Sequence, residues 1–185
     1  MIDLLWRHPE ALARATNEAR QLLGRPDALP AFEQTGQLDY LEACAHETMR
    51  LKPVAPMIGL QALQDTEIGD VRVPRGVMVL ALMRRDSVSN EHLPDARRFL
   101  PERWLDGTAL AGQPRRISMP FGPGPRICPG RYLALLEMKM AMAMLLNRFD
   151  IRSVDTPDGN PADECLSFTM APVGLRMRLS EREAA

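Results

Sequence analysis

Phe121-Gly122-Pro123-Gly124-Pro125-Arg126-Ile127-Cys128-Pro129-Gly130 is the stretch that decides how the rest of the chain is read. It sets one cysteine in a Gly/Pro-rich loop, just ahead of a long apolar segment that begins near Tyr132. A cysteine so placed can be a thiolate. Backbone N–H groups around it can donate to the sulfur, and the following helix presents its positive N-terminal end. Gly122, Gly124 and Gly130 give the backbone freedom for a tight loop that can approach a flat cofactor. Phe121 can pack on the ligand side and keep water from the sulfur. Such a thiolate suits axial ligation of haem iron. The blander alternative is a buried core cysteine, the ordinary fate of a free thiol, and the neighbours argue against it. Zinc is a weak alternative, because His46 and His92 are far away in sequence and no second ligand is suitably spaced.

The bulk properties set limits around this loop. A chain of 185 residues with net charge −1, 25% charged and 45% hydrophobic residues fits one ordinary globular domain. The near-neutral balance offers nucleic acid no basic surface. No apolar run reaches membrane-spanning length, and Met1 to Trp6, with Asp3 inside it, is too short and too acidic for a signal peptide. Cys44, Cys128 and Cys165 form no Cys-x-x-Cys pair, and an odd, sparse set points to a reducing compartment, so a cytoplasmic protein is expected.

Periodicity predicts a helix over Pro9 to Leu23, with Pro9 in the first turn and Gly24 as C-cap, then a Pro-rich connector from Arg25 to Gly36. A second helix is expected over about Leu38 to Leu51, with Asp39 as N-cap and Pro53 as terminator. Thr66 to Ile68, Val71 to Val73 and Val77 to Leu82 read as short strands. Asn90 to Ala96 reads as a short helix and Phe99 to Gln113 as irregular. A long Ala-, Leu- and Met-rich helix is expected from about Gly130 to Phe149, then a polar connector over Asp155 to Asp163. Leu166 to Thr169 and Leu175 to Leu179 are expected to pair as closing strands. The fold class is mainly α with small β-sheets (α+β). The expected division is 1–53 helical, 54–83 β, 84–120 irregular, 121–149 cysteine loop and helix, and 150–185 closing strands.

Two more constellations stand out. Glu47 and Arg50 lie three apart on the second helix, hence on one face. Alone they would be a surface ion pair worth a few tenths of a kcal/mol at about the usual value. The Pro-rich exit Lys52-Pro53-Val54-Ala55-Pro56 and the downstream Pro101-Glu102-Arg103-Trp104 raise their interest. One carboxylate can accept from two guanidinium forks. The run Met138-Lys139-Met140-Ala141-Met142-Ala143-Met144 could pass for a metal-binding methionine box, but thioethers filling a helix face explain it better.

With every fixed position of Phe-Gly-x-Gly-x-Arg-x-Cys-x-Gly filled, the loop resembles the haem-binding loop of the cytochrome P450 family. The resemblance is to the C-terminal, haem-binding part of the fold, bacterial-like in type. It implies haem b held through the Cys128 thiolate, with Phe121, Gly122, Gly124, Arg126, Gly130 and Ala134 around the cofactor. Arg126 would meet a haem propionate. Glu47, Arg50 and Arg103 match the family's Glu-x-x-Arg and Pro-Glu-Arg triad, a structural device under the haem loop. Arg7-His8-Pro9-Glu10 and Arg85-Asp86 extend the likeness. Ala55 to Ile58 and Ser167 to Thr169 match loops that line family pockets, which makes Ala55, Met57, Ile58 and Phe168 the candidate substrate-lining residues. Leu60 departs from the pattern, where many members carry a base that reaches a propionate, and Arg84 or Arg85 is the possible substitute.

The family's members are more than twice this long, and the distal Ala/Gly-Gly-x-x-Thr run that activates oxygen is not found here. The implied activity in the intact protein is monooxygenation. It would insert one atom of O2 into a small lipophilic substrate, with electrons from a ferredoxin or flavoprotein reductase and no nucleic-acid partner. The alternative is a truncated haem-binding fragment or interaction module without activity.

Overall fold

A computed structural model of the chain describes residues 1–107, 114, 117–167 and 169–183. Among the described residues are five α-helices and four small antiparallel ribbons, in the order α1 (Ile2–Trp6), α2 (Pro9–Leu23), α3 (Asp39–Leu51), β1 (Met57–Gln61), β2 (Thr66–Ile68), β3 (Val71–Val73), β4 (Met78–Leu82), α4 (Met83–Ser87), α5 (Arg131–Arg148), β5 (Phe149–Asp155), β6 (Glu164–Leu166), β7 (Met170–Pro172) and β8 (Arg176–Glu181). The ribbons are β1–β4, β2–β3, β5–β8 and β6–β7. Among the described residues no helix is long and apolar enough to cross a membrane.

Helices α2, α3 and α5 form the core. Ala11, Ala15, Ala19 and Leu23 of α2 recur at helical spacing and meet Leu41 and Cys44 of α3 and Met142, Ala143 and Leu146 of α5. The alanine stripe leaves room for close helix approach, so α5 settles against both partners. Pro9 is the first residue of α2, and Gly24 ends it at φ +68°, where a glycine bears no Cβ penalty.

The start of α3 differs from expectation. Asp39 is inside the helix and makes no capping bond. Instead the amides of Tyr40 and Leu41 donate to Glu18 Oε1 and Oε2 of α2, at 2.7 and 2.8 Å. A carboxylate from a neighbouring helix satisfies two of the orphan donors. Burial, the larger effect, raises the Glu18 pKa, and the two amide bonds act against it. A second tie joins α3 to α5, where Lys139 Nζ donates to Glu42 Oε2 at 2.6 Å.

Three further expectations are corrected. Asn90 to Ala96 is a run of turns, not a helix. The carbonyls of Pro94, Asp95, Ala96 and Arg98 accept from arginine side chains, and Asp95 O also closes a turn by accepting Arg98 N–H at 2.9 Å. Leu166–Thr169 and Leu175–Leu179 are not partners. The segment from Glu164 folds on itself as the β6–β7 hairpin, while β8 pairs with β5, which directly continues α5. Finally β4 pairs with β1, a strand the sequence pattern does not announce, in the register Met57↔Leu82 to Gln61↔Met78.

Glu42 yields a pH prediction. His46, 3.8 Å away, with lesser help from the Lys139 hydrogen bond, holds its pKa down from 4.5 to about 2, despite partial burial that pushes it up. A depressed carboxyl stabilises the fold above the unfolded pKa, and that contribution fades as pH falls through the folded one. In urea unfolding, the stability gap between parent and Glu42→Gln should close as pH falls from 4.5 to about 2. A gap independent of pH would contradict this.

Candidate functional site

Three charged side chains are enclosed where α3 meets the irregular segment: Glu47, Arg50 and Arg103 are 0%, 1% and 1% exposed. Arg50 grips Glu47 in a fork, Nε to Oε2 at 2.8 Å and Nη2 to Oε1 at 2.7 Å. The outer edge of the same guanidinium donates to the carbonyls of Ser87, Ala96 (2.6 Å) and Arg98 (3.1 Å). Leu100 N–H reaches Glu47 Oε1 at 3.0 Å and the Trp104 indole N–H reaches Oε2 at 2.8 Å. Desolvating a carboxylate costs several kcal/mol on the order typical for ions, unless its lone pairs are filled, and here they are.

The expected sharing of Glu47 between two guanidinium forks is not what forms. Arg103 Nε stands 3.6 Å from Glu47 Oε1, an ion pair beyond hydrogen-bond reach. Among the described residues Arg103 bonds only through Nη2, to the carbonyls of Pro94 and Asp95 at 2.7 and 3.0 Å, and its Nε and Nη1 have no hydrogen-bond partner there. Burial lowers the Arg103 pKa, and the Glu47 charge opposes that shift. Trp104 fills the place foreseen for the second arginine. Its ring also stacks on His46, with centroids 4.8 Å apart and planes at 17°. His46 lies 3.8 Å from Glu42, which holds Lys139 of α5. A continuous polar chain thus runs from the irregular segment across α3 to α5.

The cysteine loop sits at the head of α5. Gly122 and Gly124 adopt φ +75° and +67°, backbone that an L side chain strains to reach. Cys128 N–H donates to Phe121 O at 2.8 Å and closes the loop, while Ile127 N–H turns back to Gly124 O at 3.1 Å. The Cys128 side chain is half-buried, and a Cβ on Gly130 would lie 3.8 Å from its Sγ. The expected backbone bonds to the sulfur do not form among the described residues. The Cys128 amide is taken by Phe121, and the Arg131 amide bonds Cys128 O at 3.4 Å. Ala134 lies one turn into α5, its N–H on Gly130 O. Arg126 is exposed and forms no ion pair among the described residues. The other cysteines differ. Cys44 is fully buried and its thiol pKa is pushed up, chiefly by burial, whereas Cys165 is exposed.

Two of the loops expected to line a pocket come together. Met170 N–H of β7 bonds Val54 O at 2.7 Å, which docks the β6–β7 hairpin on the segment that leads into β1. Ile58 of β1 in turn faces the cysteine loop, its Cδ1 3.4 Å from where a Cβ on Gly122 would be. Ala55 and Met57 are exposed beside it. Phe168 lies outside the described residues. Leu60 is exposed on β1, and Arg84 is committed elsewhere, to Glu164 at 2.5 Å.

The cytochrome P450 family model matches residues 1–179. The chain belongs to the cytochrome P450 family. It is 37% identical over 147 residues to cytochrome P450 72A397 of Kalopanax septemlobus, covering 79% of this chain and 28% of that protein. To the steroid 17-alpha-hydroxylase/17,20 lyase of Felis catus it is 34% identical over 194 residues, covering 99% and 37%. The crystal structure of a cytochrome P450 (CYP102L1) superposes with a TM-score of 0.86 at 31% identity, covering 98% of this chain and 41% of that one. The chain therefore spans 28–41% of the length of these P450 proteins. It has the mixed helix and small-sheet architecture of that part of the P450 fold.

The geometry ranks the two arginines. Arg50→Lys removes the fork and strands several carbonyls, whereas Arg103→Lys keeps one cation near two carbonyls. Loss of one partner from a buried pair costs about 3–5 kcal/mol. Chemical denaturation should show Arg50→Lys approaching that loss and Arg103→Lys clearly below it. Equal losses, or the reverse order, would contradict the ranking.

Proposed function

We propose that this chain is the haem-thiolate-binding part of a monooxygenase that inserts one atom of O2 into a lipophilic organic substrate. The observation that carries the reading is the Cys128 loop: two positive-φ glycines and the Cys128 N–H to Phe121 O bond hold a half-buried sulfur at the head of an 18-residue helix.

The residues present suit a haem. Cys128 offers a soft sulfur ligand. Gly122 and Gly130 keep Cβ atoms out of the space beside Ile58 and beside the sulfur. Ile127, exposed in the loop, and Leu133, exposed on the first turn of α5, offer apolar surface. Arg126, exposed and unpaired with any described acid, is suited to a propionate. Thiolate-ligated haem supplies reductive activation of O2, with a pair of electrons from a ferredoxin or flavoprotein reductase.

The chain's own part is to bind, orient and exclude water. Cys128 supplies the ligand, and the Phe121 carbonyl fixes its backbone. The polar chain through α3 steadies α5 behind it. Met57, Ala55 and Ile58 offer an apolar wall, which favours an uncharged, lipophilic substrate.

The haem-loaded protein should give the strongly red-shifted Soret band of a thiolate-ligated haem when reduced under CO. Cys128→Ala should abolish that band, while Cys44→Ala and Cys165→Ala keep it. Arg126→Ala should keep the band but speed haem transfer to an acceptor protein. An unchanged spectrum in Cys128→Ala would overturn the ligand assignment. Unchanged haem loss in Arg126→Ala would remove the propionate role.

A further inference from the structure

Hairpin β6–β7 has three residue pairs and cannot be stable alone. Its attachment to the rest of the fold therefore decides where it stands. One link is the backbone bond from Met170 N–H to Val54 O. The other is Glu164, the first residue of β6. Its carboxylate accepts from Lys52 Nζ through Oε1, and from Arg84 through Nη1 to Oε2 at 2.5 Å and Nη2 to Oε1 at 3.3 Å.

The two cations are informatively placed. Lys52 follows α3 directly and leads into the Pro53–Pro56 segment ahead of β1. Arg84 is in α4, directly after β4. Met57 pairs with Leu82, and Met83 N–H bonds Pro56 O at 2.9 Å, so Lys52 and Arg84 flank the base of the β1–β4 ribbon. Glu164 joins both sides of that base to the hairpin. The Glu164 side chain is 20% exposed, which shields the contact partly from water. Without its charge, two cations would face each other and the hairpin would hang from the Val54 carbonyl.

We propose that Glu164 is a positioning residue that fixes the spacing between the β6–β7 hairpin and the Val54–Ile58 segment, and so selects the apolar ligands that fit between them. The proposal rests on reading those two stretches as walls of the substrate pocket of a haem-thiolate monooxygenase. Partial burial tends to raise the Glu164 pKa, but the Lys52 and Arg84 bonds outweigh it and the net shift is downward. The clamp is therefore charged at neutral pH.

The test uses the intact haem-loaded protein, its Glu164→Gln variant, Arg84→Gln and the double variant. Hydrogen exchange at the Met170 amide reads the hairpin without reference to haem. Imidazole, which needs only the iron, and 1-dodecylimidazole, whose tail must pass the loops, read the pocket by spectral titration. Glu164→Gln should speed Met170 exchange by about tenfold, as expected when a local opening becomes easier. It should weaken 1-dodecylimidazole by about fivefold, the scale of a lost half-exposed ion pair, with imidazole affinity unchanged. Adding Arg84→Gln to Glu164→Gln should change little further, because the coupling is already gone. Unchanged Met170 exchange, additive effects, or equal weakening of both imidazoles would overturn the proposal. A parent protein that binds neither imidazole would overturn the functional reading instead, and the exchange result would still decide whether Glu164 fixes the hairpin.

Discussion

A carboxylate with no access to water must have its lone pairs filled, and the Glu47 carboxylate sets that requirement for this fold. Arg50 supplies a two-pronged grip, and Leu100 N–H and the Trp104 indole take the remaining sites. Arg50 in turn spends its outer N–H groups on the Ser87 carbonyl at the end of α4 and on the Ala96 and Arg98 carbonyls of a segment with no regular structure. Residues 88–100 thus acquire a fixed course without helix or sheet, and lead into one short 3-10 turn over Pro101–Trp104. Part of their backbone hydrogen bonding runs to side chains of α3, through Ala96 O, Arg98 O and Leu100 N–H. This also explains why Asn90–Ala96 forms turns despite a helix-compatible sequence.

Helix α3 then carries that order to the cysteine. Its inner face shares the core with α2 and α5, its Glu42 holds Lys139 of α5, and its first turn is closed by Glu18 of α2. Since α5 begins just after Cys128, the position of the sulfur follows from helix packing that lies some distance from it. The loop adds the local geometry, with Gly122 and Gly124 in a backbone region that other residues rarely adopt. A ligand on such support keeps its orientation while a large cofactor is bound.

What was legible in the sequence was local. The cysteine loop is a contiguous motif, and α2, α3 and α5 announce themselves through spacing, a leading Pro9 and a terminal Gly24. The Glu47–Arg50 pair could be foreseen because three residues separate its members. What the sequence does not reveal is long-range. Leu100 and Trp104 meet Glu47 across 53 and 57 residues, and Glu18 caps α3 across 22 and 23. Strand β1, Met57–Gln61, is mostly exposed on both faces, so it lacks the alternation that marks a half-buried strand. The pairing of β5 with β8 was hidden because β5 runs on directly from α5. Trp104 belongs to the Pro101–Trp104 motif, but nothing in the sequence around it signals that its indole, rather than Arg103, completes the carboxylate's shell. Arg84, a candidate for a propionate by sequence, is instead held by Glu164, whose position in a polar stretch gives no sign of either partner.

The Leu100 amide offers the most direct test, because it sits in an irregular segment and its partner is the buried carboxylate itself. If Glu47 organises this region, that amide should exchange with solvent only when the whole chain unfolds, with the same denaturant dependence as the core amides of α5 such as Ala143. Rapid exchange of Leu100, insensitive to denaturant while Ala143 remains protected, would show that the segment opens freely and that the carboxylate does not hold it.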